Sequence, residues 1–133
     1  MKTIDANIIL RFLTNDLPEQ ANRAASLLHK LEQHHETVFL PDLILADIIW
    51  VLKGYYHQTR EQIRDLIIII LSLPGIKFSN KDVAFNALDI YVEKRIDWTD
   101  AFTASQMVTQ GITEIYFFDK HFADIEGINR IEP

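Results

Sequence analysis

A chain of 133 residues with 48% hydrophobic side chains lies in the size range of one domain and has enough apolar surface for a proper core. Its 19 acidic side chains outnumber 13 basic ones, for a formal charge of −6. That excludes a protein that grips nucleic acid by bulk positive potential, but not a nuclease, whose carboxylates are reversed in sign locally by divalent ions. With no cysteine, disulfides and thiolate metal sites are excluded, which fits a cytoplasmic protein.

Thr3 and Ile4 make a short strand, and the spacing of Ile8, Ile9, Phe12 and Leu13 predicts a helix over Asn7 to Thr14. A strand-to-helix turn therefore carries Asp5 to Asn7. The opening residues lack the apolar core of a secretion signal. Pro18 opens a second helix, reaching His34 or His35, with Ala21, Ala24, Ala25, Leu27, Leu28 and Leu31 on its apolar side and Glu19, Arg23, Lys30 and Glu32 outside. Thr37 to Leu40 is β-rich and stops at Pro41, the first position of a third helix that runs to about Tyr56. That helix is apolar nearly all round, which makes it the most buried one, with Asp47 in its middle.

Thr59-Arg60-Glu61-Gln62 has the capping-box form and starts a fourth helix. The Ile67 to Ile70 run has strand propensity, but the cap before it and the Pro74-Gly75 stop after it favour helix. Even extended to Leu66 and Leu73, this run falls far short of the roughly 20 residues that span a bilayer. Ile76 to Phe78 makes a third strand. Asn80 caps a helix with Val83, Ala84, Ala87, Leu88, Ile90 and Tyr91 facing inward, and Asp97 caps another that runs to about Thr109 and ends at Gly111. Ile115 to Phe118 reads as a buried fourth strand, Lys120 to Asp124 as a single helical turn, and Ile128 to Ile131 as a fifth, edge strand. Strands alternating with helices imply an α/β fold, one domain over residues 1–133. Its mainly parallel sheet of four to five strands is covered on both faces.

In open parallel sheets ligands bind beyond the carboxyl ends of the strands. Asp5 and Asp119 fall there, and Asp47 on the third helix and Asp100 in the first turn after Asp97 can reach the same crevice. Converging carboxylates repel one another, and a divalent cation relieves the repulsion; oxygen donors favour Mg²⁺ or Mn²⁺ over zinc. Such a site can deprotonate a water and stabilise the leaving oxygen of a phosphodiester. Each residue also has a plainer reading. Asp5 can start the turn or cap its helix, Asp47 can pair with Lys53 or Arg11, and Asp119 can cap the turn at Lys120. Asp97 suits a cap better than a ligand, and Asn7 holds either a metal-bound water or phosphate or its own turn. Phe117, Trp98 and Trp50 read as core rather than as base-stacking platforms. No two histidines have metal-ligand spacing, and no nucleophile elbow, phosphate loop, dinucleotide glycine pattern or His-Glu-x-x-His helix is present.

The order Asp5-Ala6-Asn7-Ile8-Ile9-Leu10-Arg11, Asp47-Ile48-Ile49-Trp50-Val51-Leu52, Asp97-Trp98-Thr99-Asp100-Ala101 and Phe118-Asp119-Lys120 resembles the PIN-domain nucleases, most closely the VapC-like ribonuclease toxins. The resemblance covers nearly the whole chain. It implies a parallel three-layer α/β/α sandwich, hydrolysis of RNA phosphodiesters with Mg²⁺ or Mn²⁺, a homodimer, and an antitoxin that binds and blocks the site. By position, Asp5, Asp100 and Asp119 match the family's metal-binding acids. Asp47 falls where the family usually has glutamate, completing the charge cluster or polarising the attacking water. Arg11, Lys53 and Lys120 either hold the RNA backbone or are solvated charges, and the third helix and the Ile67 to Ile70 run serve either a dimer interface or the core. Ala6 stands where many members have threonine, and Phe117 where serine or threonine often precedes the Phe-Asp pair. Together with the shorter reach of Asp47, these departures define an alternative: a weak or silent PIN-fold protein that captures an antitoxin or RNA without cutting.

Overall fold

The computed structural model describes residues 1–133, apart from the side chains of His121 and Ala123. Its contacts divide the chain into two compact units, Met1–Ser79 and Asn80–Pro133. The first unit runs β1 (Lys2–Thr3), α1 (Ala6–Thr14), α2 (Pro18–Glu32), β2 (Val38–Phe39), α3 (Asp42–Gly54), α4 (Arg60–Leu71) and β3 (Ile76–Lys77). β1, β2 and β3 form a parallel three-stranded sheet in that order, with Lys2 opposite Val38 and Val38 opposite Ile76.

The helix signals of the sequence act at their termini. Thr59 Oγ1 accepts the Gln62 N–H at 3.1 Å while Gln62 Oε1 accepts the Thr59 N–H at 2.9 Å, so two donors left over by α4 are satisfied and the isoleucine run is helical. Pro18 is the first residue of α2, as expected, but the helix stops at Glu32. His34 adopts a left-handed φ of 59°, which an α-helix cannot continue through, so His34 and His35 lie beyond it.

α3 departs from the expected all-round burial. Leu45, Ile48, Ile49 and Leu52 point inward at helical spacing, whereas Leu43, Asp47, Trp50 and Lys53 are exposed. The outer face carries Leu43 and Trp50, and that apolar content made a one-sided helix read as a central one. Pro41 caps α3 instead of occupying its first turn.

The second unit contains α5 (Lys81–Lys94), α6 (Trp98–Gln110), β4 (Glu114–Tyr116), a 3₁₀ turn (Lys120–Asp124) and β5 (Asn129–Ile131). Asn80 caps α5 by accepting the Val83 N–H at 3.1 Å. α5 packs on α6, where the buried Ser105 hydroxyl donates to the Val83 carbonyl at 2.8 Å and Tyr91 meets Trp98 edge to face at 6.1 Å. α6 ends at Gly111, whose φ of 73° suits glycine and turns the Ile112 N–H back onto the Met107 carbonyl at 2.9 Å.

β4 and β5 pair in parallel, with Glu114 opposite Asn129. All strand pairs among the described residues are parallel, as the α/β reading requires, with three strands in the first unit and two in the second. β4 is also not buried: Ile115 and Phe117 are half-buried, and Tyr116 and Phe118 face outward. Within its unit, β4 pairs with β5.

Candidate active site

Asp5 follows β1 directly. The Ile4 N–H continues the β1 ladder onto the Phe39 carbonyl at 3.0 Å, and Asp5, with φ −87° and ψ 157°, is the N-cap of α1. Its Oδ2 accepts the Asn7 N–H at 3.4 Å, beyond the usual hydrogen-bond range, so the capping contact is weak. The plain reading of Asp5 as a cap is thus realised by one oxygen of an exposed carboxylate.

Asp5 opens onto a shallow groove of about 360 Å³ whose wall includes Ile8, Leu27 and Glu36. A second groove of about 430 Å³ shares Ile8 and Leu27 with it and adds Asn7, Arg11, Gln20 and Arg23. Asn7 and Arg11 therefore line a groove that adjoins the one at Asp5.

Arg11 is braced from two sides. Its Nε donates to Gln20 Oε1 at 3.0 Å, and its guanidinium lies 3.5 Å from Asp16. The Tyr56 hydroxyl donates to Asp16 at 2.6 Å and, ahead of Thr14 and Arg11, holds the Asp16 carboxyl below the usual carboxylate range. Arg23, an exposed cation on α2 as the sequence indicates, also lines the groove, which the sequence did not show. Its position opposite α1 follows from how the two helices pack, which spacing along one helix does not reveal.

Asp47 is exposed in mid-α3 and makes no side-chain hydrogen bond or ion pair among the described residues, neither with Lys53 nor with Arg11. Burial therefore does not constrain it, although aspartate remains a poor residue for a helix interior. Trp50, expected in the core, is 77% exposed on the same face.

In the second unit Asp100 is half-buried in the first turn of α6, where the helix dipole favours a negative charge. Asp97 holds the N-cap position, but its side chain accepts no capping hydrogen bond. The exposed carboxylate leaves helix initiation to the backbone, with the Asp97 carbonyl accepting the Ala101 N–H at 2.9 Å. Asp119 is exposed, three residues past β4 and just ahead of the 3₁₀ turn. The segment leading to it is fixed from β5: Arg130 donates to the Phe117 carbonyl at 3.1 Å and to the Phe118 carbonyl at 3.2 Å, and pairs with Glu132 at 2.8 Å. Trp98 is buried in the core as expected, whereas Phe117 is half-buried and packs its ring on the buried Phe122 at 4.6 Å.

Within either unit, among the described residues, no three histidine or acidic side chains gather closely enough to hold one ion. The donor types nonetheless suit a hard cation. All four aspartates offer oxygen, and each is exposed or half-exposed.

The chain is similar to a VapC ribonuclease of Aquifex aeolicus (strain VF5), with 23% identity over 133 residues that span 100% of this chain and 97% of that protein. The PIN domain family model matches residues 2–128. Nearly the full length is covered, with all four aspartates inside the match, and the chain belongs to the PIN domain family.

Proposed function

We propose that this protein is a metal-dependent endoribonuclease that hydrolyses RNA phosphodiester bonds, and that it is the toxin of a toxin–antitoxin pair. The observation that carries this reading is a family match over residues 2–128 enclosing four aspartates in order, with Asp5 and Asp119 beyond the carboxyl ends of parallel strands. In this reading the whole chain acts as one PIN-like domain in the cytoplasm, as a homodimer, and an antitoxin covers the site. Asp5, Asp100 and Asp119 would hold Mg²⁺ or Mn²⁺, which when bound supplies a Lewis acid for the phosphodiester oxygens. Asp47 completes the acidic cluster or orients the attacking water. Asn7 and Arg11, on the groove beside Asp5, position the RNA backbone, Arg11 with its orientation already set by Gln20 and Asp16.

The test is a calorimetric titration of the wild type and Asp100→Asn with Mn²⁺, followed by RNA cleavage assays on the same samples. Wild-type protein should bind the ion and cut RNA in a way that EDTA abolishes, and Asp100→Asn should lose both. Ion binding without cleavage would favour the second reading, a silent PIN-fold protein that captures an antitoxin or RNA. That reading draws on Asp47, Ala6 and Phe117, which lack the longer carboxylate and the hydroxyls usual in the family.

Asp47→Glu separates a handicapped site from an adapted one. Position 47 is exposed, so the added methylene meets no packed wall, and glutamate is the better helix former by a few tenths of a kcal/mol. Fold stability should therefore hold. A shortfall of about 1 Å in carboxylate reach can cost roughly a hundredfold, so cleavage should rise about tenfold or more if reach limits the rate. An unchanged or lower rate, measured as kcat/KM on one RNA, would show a site adapted to aspartate.

A further inference from the structure

Arg11 is held by side chains that all belong to the unit Met1–Ser79. α1 ends at Asn15, whose left-handed φ of 52° breaks the helix and lets the next residue return beside Arg11. That residue, Asp16, divides its carboxylate: Oδ2 accepts the Tyr56 hydroxyl at 2.6 Å, and Oδ1 faces Arg11 Nη1 at 3.5 Å. From α2, Gln20 Oε1 accepts the Arg11 Nε–H at 3.0 Å. Tyr56 lies just past the end of α3, 40 residues from Asp16 in sequence, so the fold and not the local chain sets this contact.

We propose that Tyr56 and Asp16 are positioning residues that together aim the Arg11 guanidinium into the groove between α1 and α2, where it takes a phosphate of the RNA strand. The proposal rests on the ribonuclease reading above and deepens its assignment of Arg11.

The chemistry of the groove selects an anion. In a chain of formal charge −6, its wall carries Arg11, Arg23, Asn7 and Gln20 and, among the described residues, no acidic side chain. A guanidinium presents five N–H donors in a planar fork that suits phosphate oxygens. Gln20 takes Nε and Asp16 faces Nη1, which leaves both Nη2 hydrogens for the ligand.

Tyr56 anchors the brace. The Thr14 hydroxyl also lies 3.1 Å from Asp16 Oδ1, but it has one hydrogen, and the Leu10 carbonyl at 2.7 Å is its closer acceptor. The Tyr56 hydrogen bond is the largest of the effects that lower the Asp16 carboxyl, so the carboxylate stays charged beside Arg11 at neutral pH. At 3.5 Å the Arg11 contact is an ion pair longer than a hydrogen bond, and it steers the guanidinium without occupying its outer donors. A long side chain loses rotamer freedom when it grips a ligand, and a brace already made in the free protein removes part of that loss from binding.

The experiment is a double-mutant cycle on the full chain: wild type, Arg11→Ala, Tyr56→Phe and the double variant. Affinity for fluorescein-labelled single-stranded RNA is read by anisotropy in EDTA, and KM and kcat for cleavage are read with Mn²⁺. Tyr56→Phe keeps the net charge and the ring, with its edge contact to Tyr55 at 4.8 Å, and removes only the hydroxyl. Arg11→Ala should weaken binding and raise KM about ten- to a hundredfold, and Tyr56→Phe about two- to tenfold, each with kcat largely kept. In the Arg11→Ala background Tyr56→Phe should change neither affinity nor KM, although it lowers the melting temperature in both backgrounds. With a wild type that cuts RNA, no loss of affinity from either single variant, or an equal loss from Tyr56→Phe with and without Arg11, would overturn the positioning role and leave the ribonuclease reading intact. A gain of affinity in Tyr56→Phe would overturn it too, because Asp16 would then be a competitor that the phosphate displaces. A wild type that neither binds nor cuts RNA would overturn both.

Discussion

Asp5→Asn should lose metal-supported RNA cleavage by roughly a hundredfold or more while its thermal melt stays within about 1–2 °C of the wild type. Two roles meet on this side chain. As the N-cap of α1 it accepts the Asn7 N–H at 3.4 Å, a long contact, and asparagine caps helices as well as aspartate does. The helix start therefore survives the exchange. As a proposed metal ligand, the amide brings an oxygen of the right size but no charge, and a hard cation loses the main part of its attraction. Asp5→Ala removes both roles and should also cost about 1 kcal/mol, a few degrees of melting temperature. Single-turnover cleavage with Mn²⁺ and a melt on each variant separate the cases. If Asp5→Asn cuts like the wild type and only Asp5→Ala suffers, in stability, then Asp5 is a cap and the metal assignment fails.

The parts of the fold that were legible in the sequence are those set by neighbours along the chain. The Thr59–Gln62 box, the Asn80 cap, Pro18 at a helix start and Gly111 at a helix end all act within four residues, and each appears where it was read. Facing is different, because it depends on what packs against an element from elsewhere. The outer face of α3 carries Leu43 and Trp50, so composition suggested burial where the helix is half open, and Asp47 was misplaced with it. The strand before Asp119 carried a usable signal: Glu114 marks the outer face, and counting by two from it reaches Tyr116. The density of aromatic residues hid that alternation. The four acids were legible as positions in a known order, but which carboxylates are exposed, capping or half-buried is set by the packing around them.

Gly75→Ala should lower the melting temperature by about 5–15 °C, because a Cβ at this glycine meets backbone atoms. Position 75 has no room for a side chain. A Cβ there would collide with the Glu36 carbonyl oxygen and come within 2.8 Å of Leu31 Cα and 2.9 Å of the Leu31 carbonyl. All three are backbone atoms, so no rotamer change relieves the clash. The same residue ties three elements together: its N–H donates to Leu31 at the end of α2, and its carbonyl accepts the Val38 N–H of β2 at 2.8 Å. Gly54→Ala is the matched control, since nothing lies within 4 Å of a Cβ there and alanine favours the helix, so that variant should be neutral or slightly more stable. If Gly75→Ala melts like the wild type, the close approach of α2 to the β3 entrance yields more easily than backbone packing allows. The consequence reaches the site through the sheet. β2 pairs with β1, and Asp5 follows β1, so a shift of the Gly75 backbone displaces the strand ladder on which the first proposed metal ligand is mounted. Residual cleavage by Gly75→Ala at low temperature should therefore fall before the fold is lost, whereas Gly54→Ala should keep full activity.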